Sequence, residues 1–171
     1  LWLGAWGLLA LAKALLELLE ALRLLRDPRV ALVALGEPVD AAHAEELLDA
    51  AEGLDVTFRG RYAPADLPAL RGEADLAVFP SRAEETFGLV VAEARAVGFP
   101  VAVSDRGALP ERVGAAGPVL PAADPALWAH LFQALLADPR PLAEWAAGAG
   151  ADLLTPDAHA RAVADLYARV T

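Results

Sequence analysis

The stretch Pro80-Ser81-Arg82-Ala83-Glu84-Glu85-Thr86-Phe87-Gly88-Leu89-Val90-Val91-Ala92-Glu93-Ala94 sets two carboxylates, Glu85 and Glu93, around a glycine that opens an apolar run. A glycine at a helix start lets the backbone approach a ligand closely, and the N–H groups of Gly88 and Leu89 would face an anion. Carboxylates accept hydrogen bonds from hydroxyls and do not bind phosphate. Together these groups suit a polyhydroxylated ligand that carries a phosphate, with glutamates on its hydroxyls and amides on its phosphate. A plainer reading uses the same residues. Glu84 and Glu85 would form a solvated first helical turn favoured by the helix dipole, and Glu93 would be a surface helix residue. Spacing alone leaves both open.

Such a segment needs a strand before it and a helix after it, and the chain supplies both. Asp75 to Phe79 reads as a buried strand ending at Pro80, and Gly88 to Ala96 as a helix closed by Gly98. Strand-like and helix-like segments alternate along the rest. Leu1 to Gly4 reads as a truncated strand. Leu8 to Arg26 reads as a helix, with Leu11, Leu15, Leu18, Leu22 and Leu25 at three- and four-residue steps. Val30 to Leu35 is a continuous apolar run, as in a buried parallel strand. Asp40 to Ala51 is an amphipathic helix with Asp40 as its N-cap. Val56 to Arg59 is a short strand and Pro64 to Leu70 a short helix. Val101 to Ser104 is a strand opened by Pro100, Leu109 to Val113 a short helix, and Val119-Leu120 an edge strand. Three helices follow, over Pro125 to Leu136, Pro141 to Ala147 and Pro156 to Val170, the last with Thr155 as cap.

This alternation implies an α/β fold: a three-layer, Rossmann-like, doubly wound parallel sheet of about six strands. In the order 3-2-1-4-5-6 the first and fourth strands are neighbours, and the crevice at their carboxyl ends takes the ligand. Two loops then meet at the site, Gly4 to Lys13 and Pro80 to Gly88.

Composition narrows the functions. The 171 residues carry a net charge of −10, which argues against a nucleic-acid partner. The absence of cysteine removes disulfides, thiolate metal sites and cysteine nucleophiles. Ile, Asn and Met are also absent and Lys13 is the single lysine, a usage that fits a GC-rich genome. The uncharged run Leu1 to Ala12 falls short of the about 18 apolar residues of a membrane span and lacks the basic leader of a signal peptide. His43, His130 and His159 have no metal-ligand spacing, and no Asp-x-Asp cluster is present, so no metal is expected. Ser81 and Ser104 have no histidine partner in a nucleophile elbow. Trp128, Phe132 and Trp145 read as packing. Trp2 and Trp6 flank the first loop and could line the site or an interface.

Pro80-Ser81, Glu85-Thr86-Phe87-Gly88-Leu89 and Glu93-Ala94 closely resemble the signature of glycosyltransferase family 4, whose two glutamates are separated by seven residues as Glu85 and Glu93 are. Gly98-Phe99-Pro100-Val101, Ser104-Asp105, Gly107-Ala108-Leu109-Pro110-Glu111, Val56 to Gly60, Asp66-Leu67 and Ala74-Asp75 match in order and spacing. The resemblance runs from about Val30 to the last helix, where Tyr167 stands as the family's closing aromatic. It implies the C-terminal, donor-binding half of a GT-B enzyme, a retaining transferase of hexosyl type that uses a nucleotide-diphosphate sugar such as a UDP- or GDP-sugar. Glu93 would bind the ribose hydroxyls and Glu85, as the catalytic carboxylate, the sugar hydroxyls. The amides of Phe87, Gly88 and Leu89 would hold the diphosphate and sugar, and Arg61 would lie near the base. The acceptor site would belong to an N-terminal domain outside this chain, so these residues alone are expected to bind donor without appreciable transfer. The full-length enzyme is expected to be bacterial and cytoplasmic, with peripheral association at the inner face of a membrane open to it.

Two departures stand out. The family has an Arg after the first strand and a Lys a few residues later, both on the diphosphate. Here Gly4-Ala5-Trp6-Gly7 holds no Arg, and Lys13 falls about three residues late. Lys13 reads equally as a surface residue paired with Glu17. Ala108 replaces a second glycine. These departures, with the leucine-rich first helix, motivate a second expectation: a non-catalytic nucleotide-binding or protein-interaction module in which a wide Leu face packs on another domain or another copy.

Overall fold

In the computed structural model, which describes residues 1–151, 153 and 155–170, six parallel strands form one sheet in the order β3-β2-β1-β4-β5-β6. The strands are β1 (Trp2–Trp6), β2 (Ala31–Leu35), β3 (Val56–Phe58), β4 (Leu76–Phe79), β5 (Val101–Ser104) and β6 (Val119–Leu120). Every residue of β2, β4 and β5 is buried, because helices cover both faces and each side chain needs an apolar neighbour on either side. That is why β2, β4 and the first three residues of β5 read as unbroken apolar runs. The edge strands β3 and β6 are the short ones.

Period two sorts β1 into two cores. Leu3 and Ala5 face a core with α1 (Leu15–Leu25), α2 (Ala41–Ala51) and α6 (Pro125–Ala137), centred on Leu18, Leu19, Leu32, Trp128 and Phe132. Trp6 faces the other, with α3 (Leu67–Glu73), α4 (Leu89–Ala96) and α5 (Leu109–Val113), centred on Phe79, Val91, Phe99 and Leu109. The helices α7 (Arg140–Gly148) and α8 (Pro156–Val170) close the chain. Among the described residues no helix is long and apolar enough to cross a membrane.

Most expected elements fall within two residues of their observed ends, and the predicted caps are in place. Asp40 accepts from the His43 N–H at 2.8 Å, and Thr155 Oγ1 from the Ala158 N–H at 3.2 Å. Two expectations change. β1 continues to Trp6, so the first loop starts at Gly7, not Gly4. The helix expected from Leu8 begins only at Leu15. Leu9 instead extends the β1–β2 pairing, its N–H donating to Glu37 O at 3.0 Å while its carbonyl accepts from Val39 N at 3.3 Å. A short 3₁₀ turn over Leu11–Lys13 and the left-handed Ala14 follow, and Leu8 and Leu11 stand exposed.

The leucine face of α1 is not free. Leu15, Leu18, Leu19 and Leu22 are buried, covered by the sheet and by Trp128, Phe132 and Leu135 of α6. It therefore offers no wide apolar surface to another domain or copy, which removes one motive for the interaction-module expectation. Trp128 and Phe132 pack as expected, and the Trp128 indole N–H donates to Pro121 O at 3.0 Å.

Candidate functional site

β1 and β4 are neighbours, with Leu3 opposite Leu76 and Gly4 opposite Ala77, so the loops after them leave the sheet side by side. They are tied together through backbone. The N–H groups of Arg82 and Ala83 both donate to Ala12 O, at 2.7 and 3.2 Å. Below them the buried Ser104 hydroxyl donates to Ser81 O at 2.6 Å, anchoring the second loop on β5. This stitching brings Lys13 to Glu85, whose Oε1 accepts a hydrogen bond from Nζ and lies 2.9 Å from the Ser81 hydroxyl. Lys13 therefore does not pair with Glu17. Arg82 takes that carboxylate at 2.7 Å instead, because the β4 loop passes directly over the start of α1.

Glu85 is held by its backbone as well. Its carbonyl accepts from the Ala108 N–H at 2.8 Å, and the Glu84 carboxylate accepts from the Gly107 N–H at 3.0 Å. Gly107 has φ +54°, and a Cβ there would sit 2.3 Å from Glu85 O and 2.4 Å from Glu85 N. No side chain fits so close to a backbone. Ala108 lies in the ordinary right-handed region, at φ −79°, so the departure from a second glycine carries no strain.

Neither Glu84 nor Glu85 belongs to a helical first turn. α4 starts at Leu89, after Gly88 at φ +71°, and has no acid in its first turn. The plainer of the two readings left open by the spacing, a dipole-favoured first turn of Glu84 and Glu85, is therefore not formed. Among the described residues no protein acceptor meets the N–H groups of Phe87, Gly88, Leu89 or Val90, so the amino end of α4 opens toward the crevice with its donors unspent. Phe87 is fixed from the far side. Arg112 lies 3.7 Å from its ring centroid, and Nε donates to its carbonyl at 3.1 Å.

Glu93 follows on the same helix, half-buried rather than on an open surface. The Trp6 indole N–H donates to Oε2 at 3.1 Å, and the Tyr62 hydroxyl donates to the same oxygen at 3.4 Å. Trp6 is itself wedged edge-on against Phe79 at 4.8 Å and tilted against Phe99 at 5.5 Å. Burial, then the charge of Glu93, then the hydrogen bond to it push the Tyr62 hydroxyl up to about 12, so at neutral pH it is a donor. Arg61, the neighbour of Tyr62, turns the other way and pairs with Glu37 at 2.7 Å on the exposed rim above β2 and β3. Their hydrogen bond lowers the Glu37 carboxyl and raises the Arg61 guanidinium from their usual values.

Between the loops lies a cleft of about 290 Å³. Trp6, Leu9, Phe79 and Val90 make its apolar walls, with Lys13 and Glu85 among its few polar groups. A larger hollow of about 710 Å³ sits at the other end of the strands, between the end of α1 and the starts of β2 and β3. It lies away from the crevice, and its Arg23, Arg26, Asp27, Glu52 and Asp55 carry mixed charge, so we assign the chemistry to the smaller cleft. Among the described residues no group of three or more His, Asp and Glu side chains is placed to hold a metal. Trp2 is half exposed at the amino end of β1 and lies outside the site.

The two loops expected at the site do meet, with Glu85 between them and Glu93 on the helix that follows. Sequence reasoning left Trp6 open between site and interface, and it passed over Tyr62, Ser81 as a partner of Glu85, and Arg112. Only the position of Trp6 at a strand end next to the site loop gave a signal. The others depend on which way a loop side chain turns.

Comparison with known proteins finds the family model described as "Glycosyl transferases group 1" matching residues 2–138. The match includes β1, upstream of Val30, and stops before α7 and α8. D-inositol 3-phosphate glycosyltransferase of Salinispora arenicola is 38% identical over 125 residues, covering 66% of this chain and 28% of that protein. HepE of Anabaena, solved in complex with UDP and glucose, superposes with a TM-score of 0.78 at 27% identity, over 88% of this chain and 42% of that one. The C-terminal domain of a glycosyl transferase group 1 family protein, LpcC of Francisella tularensis, shares the fold with a TM-score of 0.73 at 22% identity, over 90% of this chain and 83% of that domain. The chain thus spans less than a third of the length of that curated relative and less than half of HepE.

Proposed function

The chain belongs to the group 1 glycosyl transferases, and from that premise we propose that it is the donor-binding half of a GT-B enzyme of family 4, transferring a hexosyl group with retention from a nucleoside diphosphate sugar. One observation carries the reading: the β1 and β4 loops bring Lys13 and Glu85 together in one cleft whose lining includes Val90 at the start of α4, where the amides meet no protein acceptor among the described residues, and Glu93 follows about one turn along that helix. Cation and amides suit a diphosphate, and carboxylates suit hydroxyls. HepE, similar over 88% of this chain, was solved with UDP-glucose as well as with UDP.

In this reading Glu93 takes the ribose hydroxyls. The N–H groups of Phe87, Gly88 and Leu89 take the diphosphate and sugar, and Arg61 lies toward the base. Lys13 exchanges Glu85 for diphosphate oxygen, which frees Glu85 to accept from the sugar hydroxyls. The bond from the anomeric carbon to the diphosphate oxygen breaks as the acceptor oxygen bonds on the same face, and the acceptor proton passes to the departing diphosphate. The protein stabilises the charge that develops there and orients the sugar. With no Arg in the β1 loop, that stabilisation rests on Lys13 and the amides, and no metal takes part. The acceptor binds to parts of the enzyme beyond these residues, and the full-length enzyme works in the cytoplasm.

The test is saturation-transfer NMR with UDP, UDP-glucose and GDP-mannose on wild type and Glu85→Ala. Wild type should show contacts to both nucleotide and sugar protons, and Glu85→Ala should lose the sugar contacts alone. Sugar contacts that survive Glu85→Ala unchanged would remove Glu85 from the role given to it.

A further inference from the structure

Glu93 is gripped by one oxygen. Oε2 accepts from the Trp6 indole at 3.1 Å and from the Tyr62 hydroxyl at 3.4 Å, while among the described residues no donor reaches Oε1. A carboxylate oxygen accepts about two hydrogen bonds, so Oε2 is full and Oε1 is open. The two donors come from different elements, the end of β1 and the loop after β3, and both converge on the ribose-binding position of the reading above. Trp6 has little freedom to turn away, being 4% exposed and locked against Phe79 and Phe99. Its N–H is a donor only, and a buried indole N–H without an acceptor is costly, so protein and carboxylate hold each other in place.

We propose that Trp6 and Tyr62 are positioning residues that clamp the Glu93 carboxylate by Oε2 and thereby aim Oε1 at the vicinal hydroxyls of a ribose. This rests on the donor-site reading and adds to it where nucleotide selectivity is set. A glutamate on a helix free to choose among rotamers would have to be ordered by the ligand, at a cost in affinity. Here the ordering is already done, so the site discriminates ribose from 2′-deoxyribose. Tyr62 stays protonated through the neutral range and keeps its donor role there.

The test is calorimetric titration of UDP and 2′-deoxy-UDP into the 171-residue chain as wild type, Trp6→Phe, Tyr62→Phe and Glu93→Ala. Phenylalanine keeps an aromatic ring at residue 6 but removes the N–H together with part of the buried indole, so a melting curve accompanies each titration to separate the cavity from the lost hydrogen bond. Trp6→Phe should bind UDP roughly 10- to 100-fold more weakly, the worth of one hydrogen bond to a charged group, and should lose most of the wild-type preference for UDP over 2′-deoxy-UDP. Tyr62→Phe should show the same change to a smaller degree, and its half-buried position keeps the fold intact if Trp6→Phe does not fold. A purely structural role would weaken both ligands equally and leave the preference unchanged. Wild-type binding with an undiminished ribose preference in both phenylalanine variants overturns this inference alone. No nucleotide binding by folded wild type overturns the donor-site reading, and this inference with it.

Discussion

Gly107→Ala is expected to destabilise the protein behind the Glu85 backbone, and the geometry fixes the size of the effect. The position has φ +54°, and an added Cβ meets Glu85 O at 2.3 Å, Glu85 N at 2.4 Å and Glu84 C at 2.8 Å. A left-handed alanine costs about 1–2 kcal/mol from its own backbone. The contacts are with backbone, so no side chain can swing aside, and overpacking of this kind adds about 1–3 kcal/mol. Gly53→Ala is the internal control. It lies at φ +77° with nothing within 4 Å of its Cβ, so it bears the backbone cost alone. Both variants lose the same freedom in the unfolded chain, which cancels in the comparison. At this chain length about 1 kcal/mol moves the melting temperature by about 2–4 °C, so Gly107→Ala should melt roughly 2–12 °C below Gly53→Ala in a calorimetric scan. Because the Ala108 N–H holds the Glu85 carbonyl, Gly107→Ala should also weaken binding of a UDP-sugar more than binding of UDP. Equal melting temperatures for the two variants would show that the β5–α5 loop does not press on the Glu85 backbone, and the account of how Glu85 is held would fail.

Lys13→Met should weaken UDP binding by roughly 10- to 100-fold, the worth of a charge-assisted hydrogen bond to phosphate, and calorimetry showing less than about three-fold would remove Lys13 from the diphosphate. Tyr62 loses its proton near 10 when unfolded and near about 12 when folded, so its contribution is fully present below about pH 10 and is lost as the pH rises to about 12. Denaturant titrations across that window should therefore show wild type falling more steeply than Tyr62→Phe, and parallel curves would contradict the burial of that hydroxyl. Arg95 is buried and donates to the carbonyls of Ala149, Arg112 and Ala151, tying α4 to α5 and the end of α7. Arg95→Leu strands those acceptors and should cost about 2–4 kcal/mol in urea unfolding, whereas a change under about 1 kcal/mol would mean that solvent replaces the guanidinium.

The sheet was legible because its strands are buried on both faces. Val30 to Leu35 and Val101 to Val103 have no polar position to confuse the period, and the switch point then follows from the order of elements. The start of α1 was not legible. Leu11 keeps helical spacing with Leu15 and Leu18, yet it stands exposed, because backbone pairing of Leu9 with Glu37 and Val39 outcompetes the helix. Hydrophobic spacing carries no information about that long-range pairing. In the site, Glu85 and Glu93 were read from type and spacing. Their partners were not, since Trp6 reaches Glu93 across 87 positions and Lys13 reaches Glu85 across 72. The Lys13–Glu17 pairing looked equally good locally and lost to a loop crossing that only the tertiary fold creates.

In the reading proposed above, the crevice between β1 and β4 binds a nucleoside diphosphate sugar. Calorimetric titration of UDP, GDP and their sugars into wild type and Glu93→Ala tests it most directly, with the fold of each checked by its melting curve. The account predicts saturable one-to-one binding of at least one of these by wild type and its loss in Glu93→Ala. Folded wild type that binds none of them, or binding that Glu93→Ala leaves intact, would contradict it.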